Sequence, residues 1–306
     1  MNNMDNKKMR FNIAGAFGKS DQLMMYFFKN KDLIKKFNIT VYDGINNCAW
    51  NGGRVNRDIE YSDRVLDFYY RNNITIALAF TNPVIDLDDK TGNMLLEKFH
   101  KKGNVIISAN ENLVHYVRKK YPLYHHTRSI TSFGKISVPM SDDDFNLYKK
   151  WETIYDIIVP RCEHVFDKRF KELDLTKYEV LINDACVYNC PFYGEHFKEV
   201  AKQNKKYKKP WKEAGYKAMY EIEECWLSDR STYKKPSFFE PDEGQPKLKD
   251  KLGDNYGMDL KTSQIIQLMK DGINNFKIAG REMPIDDFNI ELNTYLIDAY
   301  DSYLEQ

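Results

Sequence analysis

Eight short apolar, β-branched runs recur along the chain, and helical patterns lie between most of them. The runs are Phe11–Gly15, Asn38–Asp43, Ile74–Phe80, Asn104–Ala109, Tyr124–Ile130, Ile154–Pro160, Glu179–Asn183 and Asn275–Gly280. Ile74-Thr-Ile-Ala-Leu-Ala-Phe80 is nearly continuous in hydrophobicity. A parallel strand covered on both faces needs that pattern, whereas a half-solvated strand alternates. Asp21–Phe37 turns Leu23, Phe27, Ile34 and Phe37 to one side behind an N-cap at Ser20. Ser62 caps Ser62–Arg71, with Val65, Leu66 and Tyr69 facing inward. Further helices are predicted at Thr91–Lys102, Glu111–Lys120, Asp143–Trp151, Thr262–Asp271 ahead of Gly272, and Pro284–Tyr303. Eight such units predict an α/β fold, a (βα)8 TIM-like barrel. A doubly wound sheet usually stops at five or six strands.

A chain of 306 residues with 42% apolar side chains can bury one full core, so residues 1–306 are expected to form a single barrel domain. One stretch, 201–257, breaks the rhythm between strands seven and eight. It carries the basic Lys205-Lys-Tyr-Lys-Lys-Pro210 and the acidic, turn-forming Glu240-Pro-Asp-Glu-Gly-Gln-Pro246. An insertion of that size is expected to act as a lid over the barrel mouth. The net charge of +1 supplies no field for duplex DNA. No run approaches the ~18 apolar residues of a membrane span, and Met1–Phe11 has no signal-peptide core, so a cytoplasmic protein is expected. Five cysteines, an odd number, do not suit a disulfide framework.

Barrel chemistry collects just beyond the strand C-termini, which here are Asp43, Asn82, Asn110, Arg128, Arg161, Asp184 and Arg281. The densest segment runs from Val180 to His196, where a buried strand gives way to Cys186, Cys190 and His196. Cysteines four apart on a turn or first helical turn can face one centre, and a helix N-terminus favours the thiolate. Cys162, Cys225 and His196 are the further candidate ligands. Three or four thiolates suit an iron–sulfur cluster, and two or three with His196 suit zinc. A radical-SAM C-x3-C-x2-C pattern fails because Tyr193 stands at its third position. His115 reads as surface or core, and at most one of His125 and His126 faces into the barrel. Gly52-Gly53-Arg54 is too short for a phosphate loop.

The segment Gln264–Glu282 resembles the collagenase-like peptidase superfamily, whose hallmark there is a helix, then aG(I/V)xxxKIeGR, then a long helix. Gly272, Ile273, Lys277, Ile278, Gly280 and Arg281 match, and Ala279 replaces the usual acidic residue. Asn183–Cys190 resembles the family's NRGxCxxxCR stretch. Asn183, Cys186 and Cys190 match, while Asp184 and Pro191 replace its arginines. Tyr42-Asp-Gly44 with Arg54 is loosely similar to an early YxGxxxxxxR region. The resemblance implies a barrel that often holds an oxygen-sensitive 4Fe-4S iron–sulfur cluster. Members take part in hydroxylating RNA bases or the ubiquinone ring, and others carry a protease label. The family's two upstream cysteines, in CvsxxGxC, are missing here, with Cys162 the nearest candidate and Cys225 available from the insertion.

The favoured expectation is a cluster-dependent enzyme with Cys186, Cys190 and Cys225 as ligands and Cys162 as the fourth. Arg281, Lys277 and Arg161 would stabilise an anionic or nucleobase-like substrate or developing negative charge. Asp184 and Glu195 would carry protons. Asp43, Arg54, Asn82, Asn110 and Arg128 would line the substrate. The reaction would be hydroxylation or another redox or sulfur transfer. One alternative is a zinc-dependent hydrolase or peptidase using Cys186, Cys190 and His196, with Glu195 acting on metal-bound water. A second is a non-catalytic RNA- or protein-binding barrel. The partners expected are a small-molecule or RNA substrate and no membrane, with room for a partner protein.

Overall fold

The computed structural model describes residues 8–45, 48–52, 59–206, 256–281 and 283–305. Its main sheet contains β1 (Arg10–Ala14), β2 (Asn38–Asp43), β3 (Thr75–Phe80), β4 (Val105–Ser108), β5 (His125–Arg128), β6 (Ile157–Ile158), β7 (Glu179–Leu181) and β10 (Asn275–Ile278). Their spatial order is β6-β5-β4-β3-β2-β1-β10-β7, and every neighbouring pair is parallel. A parallel bridge between Ile158 and Tyr178, the residue before β7, brings the two edges together. The result is the expected TIM-like barrel, nearly closed.

Strand alternation sorts the side chains. Phe11, Ile13, Ile39, Val41, Ile76, Leu78 and Ile106 face the helices and join the large core. Ala14, Tyr42, Ala77, Val105 and Ile107 form a separate cluster. They occupy the opposite, inward positions of the same strands.

The helices are α1 (Ser20–Lys29), α2 (Lys31–Lys36), α3 (Asp63–Arg71), α4 (Lys90–Lys98), α5 (Glu111–Lys120), α6 (Asp142–Glu152), α7 (Tyr193–Lys206), α8 (Thr262–Asp271), α9 (Ile285–Asn293) and α10 (Ala299–Leu304). Ser62 caps α3 through Val65 N–H, and Gly272 ends α8 at φ 105°. The single helix expected over Asp21–Phe37 is two. Asn30 separates them by turning its amide back onto the Tyr26 carbonyl at 3.0 Å. Ser20 is the first residue of α1 and not its cap. The helix expected over Pro284–Tyr303 is interrupted by a π turn at Thr294–Asp298.

Between β7 and β10 the chain leaves the barrel earlier than residue 201. β8 (Asn183–Val187) pairs antiparallel with β9 (Tyr256–Asp259), and α7 follows β8. The ribbon is anchored on the barrel where Ile182 N–H meets the Lys277 carbonyl at 3.0 Å and Leu260 N–H meets Ile182 at 2.8 Å. Both ends of the excursion therefore sit at the C-terminal rim. Residues 207–255, most of the expected insertion, lie outside the described residues, as do Arg54 and Cys225. No helix among the described residues is long and apolar enough to cross a membrane.

Candidate functional site: a buried thiol cluster on the barrel rim

The loop after β6 and the segment after β7 bring one group of reactive side chains together. Arg161 and Glu163 have completely buried side chains and form a bidentate ion pair, with Nη2–Oε1 at 2.5 Å and Nε–Oε2 at 3.1 Å. Burial opposes charge on both. Their mutual attraction outweighs it, holding the Glu163 carboxyl below its usual range and the guanidinium well above its own. The guanidinium also stacks 3.5 Å from the centroid of the buried Tyr193 ring. Its third nitrogen, Nη1, is buried without a hydrogen-bond partner.

Glu163 Oε1 also accepts from Asn189 N–H at 2.9 Å. Asn189 sits at φ 52°, in the left-handed region that asparagine tolerates. This turn reverses the chain between Cys186 on β8 and Cys190 ahead of α7, so the two thiols meet across a turn. The Cys186 thiol donates to the Cys190 sulfur. That bond lowers Cys190 to about 7 against the cost of burial, helped by Phe192 N–H and by Arg161. The same bond, with burial and Asp184, pushes Cys186 well up. Cys190 is therefore the thiol of the pair that ionises first, in the neutral range.

Asp184 is buried and lifted to about 6 by that burial, with Arg161 opposing. Its Oδ1 accepts from Cys186 N–H at 3.2 Å. Its Oδ2 lies 3.8 Å from the Cys162 sulfur, whose thiol points to the Leu181 carbonyl at 3.3 Å. Burial, Asp184 and Glu163 hold Cys162 firmly protonated.

Among the described residues, no three His, Cys, Asp or Glu side chains come together as a metal-holding group. Cys162, Cys186, Cys190 and His196 are all described, so Cys162 does not join the pair as a ligand here, nor does His196. The His196 ring stacks at 26° on Phe197 within α7. The described residues supply a two-thiol half-site with one unpartnered guanidinium nitrogen, Arg161 Nη1, beside it. Such a donor set fits an anionic thiolate-bound group whose remaining ligands come from elsewhere.

The other expected site residues are distributed differently. Asp43 is fully buried. Its Oδ2 accepts from Phe17 and Gly18 N–H at 3.3 and 3.0 Å, and its Oδ1 accepts from Gly44 N–H and Arg281 at 3.0 and 3.1 Å. Asn82 holds the loop before α4 through Ala49 carbonyl and Val84 N–H, both at 2.8 Å. Asn110 caps α5. Arg128 packs on Trp151 of α6 at 4.3 Å and donates to the Tyr155 hydroxyl at 2.7 Å. These three serve the scaffold. Glu195 is exposed on α7, outside the buried cluster. His126, buried beside Ile106 on the helix side, is depressed to about 4 by burial, and His125 is exposed. Lys277 faces into the barrel, 3.8 Å from Glu179 and 4.2 Å from the Tyr42 ring centroid.

Glu163, Asn189 and Tyr193 went unselected as site residues in the sequence. The usable signal was Arg161-Cys-Glu163, two opposite charges straddling a cysteine directly after an apolar run. No family model matches the chain, and no curated protein matches it.

Proposed function

We propose that this chain is a cluster-dependent redox enzyme whose 4Fe-4S group is held by Cys186 and Cys190, with Cys225 as a further ligand. The observation that carries the reading is the adjoining Cys186–Cys190 pair beside the unpartnered Arg161 Nη1. A buried donor left without an acceptor costs about 1–3 kcal/mol. An anionic cluster would provide the acceptor. When bound, the cluster supplies one-electron transfer, or an open iron site if only three thiolates ligate it. Membership of the collagenase-like peptidase superfamily is part of the same proposal, supported by the Gly272–Arg281 and Asn183–Cys190 matches.

The chain's own residues have distinct tasks in this reading. Arg161 neutralises charge on the thiolates, and Glu163 fixes Arg161 and the Asn189 turn together. Asp184, titrating near 6, exchanges a proton beside Cys186 in the neutral range. Arg281, partly exposed above Asp43, meets an anionic substrate at the mouth.

The test is anaerobic purification of the full chain with iron and sulfide analysis and a visible spectrum. The expected result is a brown protein with about four irons per chain, lost in Cys186→Ala and Cys190→Ala. Colourless protein with stoichiometric zinc removes the proposal. So does iron content unchanged by either substitution.

A further inference from the structure

Away from the thiols, the barrel interior holds an amine in an unusual setting. TIM-barrel interiors are usually filled by bulky branched side chains. Here many inward positions are small: Ala14, Thr40, Ala77, Ala79 and Thr127. Into this interior β10 projects Lys277, level with Asn12 on one side and Leu181 on the other. Its side chain is only 8% exposed, and its Nζ lies 3.8 Å from Glu179 Oε1 and 4.2 Å from the centre of the Tyr42 ring. Asn12 donates to Glu179 at 3.0 Å, and Arg10 flanks the same carboxylate at 3.5 Å. Two other inward polar atoms, Asn12 Oδ1 and Thr127 Oγ1, are buried with no hydrogen-bond partner. Buried polar atoms in native structures are nearly always satisfied. Asn12, beside Lys277 in register, and Thr127 on β5 both face the barrel interior, where a polar guest would satisfy them.

We propose that Lys277 is a nucleophilic amine that forms an imine with small carbonyl compounds, aldehydes or 2-oxo acids, entering from the C-terminal mouth. The amine lone pair forms a bond to the carbonyl carbon while the carbonyl π pair moves to oxygen. Glu179 takes one proton from the nitrogen and passes it to the alkoxide, then relays the second nitrogen proton to the resulting carbinolamine hydroxyl. That oxygen leaves as water while the nitrogen lone pair completes the C=N bond. Nothing is oxidised or reduced. The attacking amine must be neutral, and burial raises that fraction: it draws Lys277 down to about 8, with Arg281 and Arg10 adding to the effect and Glu179 opposing it. Tyr42 closes one side of the site with an aromatic face, which suits a planar imine.

The experiment treats the full chain at pH 7 with limiting glyoxylate and cyanoborohydride, whose hydride reduces an imine to a stable secondary amine. Peptide mapping then locates the carboxymethyl adduct. The expected result is an occupancy at Lys277 at least about tenfold that of an exposed lysine such as Lys35, because burial enlarges the neutral fraction of Lys277. Lys277→Arg keeps the cation and loses the adduct. Glu179→Gln slows adduct formation at Lys277 by at least about tenfold. Labelling persists in the Cys186→Ser/Cys190→Ser variant, which separates this activity from the thiol centre. Labelling of Lys277 at or below the level of Lys35 in the wild-type chain overturns the proposal, and that measurement depends on no variant.

Discussion

Replacing Glu163 by glutamine tests the physical core of the thiol site. The substitution keeps the shape and removes one charge from a pair whose side chains are both 0% exposed. Arg161 then remains charged in the interior with one neutral amide for company. Breaking a buried pair in this way costs about 3–5 kcal/mol, most of it the penalty for the abandoned charge. The stacking on Tyr193 is unchanged by the substitution and offsets nothing. At about 2 °C per kcal/mol, the low end for 150–250-residue domains and the end that suits a longer chain, the melting temperature should fall by roughly 6–10 °C. Urea unfolding should show a lower midpoint at unchanged slope. The double variant Arg161→Met/Glu163→Leu leaves no charge behind and should be less destabilised than Glu163→Gln, a non-additivity readable as a double-mutant cycle. Glu163 also accepts from Asn189 N–H, so the single variant should loosen the turn and speed the reaction of Cys190 with an aromatic disulfide reagent. A Glu163→Gln protein melting within ~1 °C of wild type would refute the reasoning, because no buried, unpaired guanidinium is that cheap.

Other expectations follow from the same geometry. Asp184 is raised to about 6, so its contribution is fully present below the unfolded value near 3.8 and is lost as pH rises through 6. His126 is lowered to about 4, so its contribution is present above 6.5 and lost as pH falls through 4. The two slopes oppose one another across pH 4–6. Urea titrations of Asp184→Asn should therefore rise more steeply with pH than wild type by about 1–3 kcal/mol in total, and a parallel curve would contradict the assignment. In metal-free protein, iodoacetamide should modify Cys190 with a midpoint near pH 7 while sparing Cys162. Cys186→Ala removes the donated hydrogen bond and should move that midpoint upward. Gly194→Ala places a Cβ 2.4 Å from the Phe133 carbonyl oxygen, which should displace the start of α7 and cost about 1–3 kcal/mol by thermal melt.

Strands β3 and β4 were legible because burial on both faces leaves their hydrophobicity nearly continuous, whereas β1 and β10 alternate, with polar groups turned into the barrel. Strand ends were less legible. Ile154 and Tyr155 look like strand residues, yet their N–H groups return to the Trp151 carbonyl at 2.9 Å, which ends α6 and delays β6 until Ile157. A side-chain amide at Asn30 divided a continuous apolar stripe that periodicity alone reads as one helix. The ribbon of β8 and β9 escaped notice because its pairing joins residues more than seventy positions apart, Asp184 with Met258, and no local pattern encodes that. Arg128, Asn82 and Asn110 stand where barrel enzymes place site residues. Whether such a residue points to the mouth or into a cap is decided by neighbours distant in sequence, here Tyr155, Ala49 and Pro83.

The two halves of the rim explain why the cysteines separate as they do. Cys162 and Arg161 are adjacent in sequence, on a loop whose backbone alternates direction. Arg161 is turned toward Glu163 and Tyr193, and the Cys162 thiol is turned to the strand-end carbonyl of Leu181. Using Cys162 as a ligand with Cys186 and Cys190 would break its bond to Leu181 and ionise a thiol already 3.8 Å from the Asp184 carboxyl. That carboxyl is already raised by burial, and like charge would raise it further. The opposite movement, a ligand arriving from the excursion that β8 and β9 anchor, disturbs neither. On the proposed cluster reading, electrostatics therefore argues against Cys162 as the further ligand. Cys225, the further ligand proposed above, lies outside the described residues.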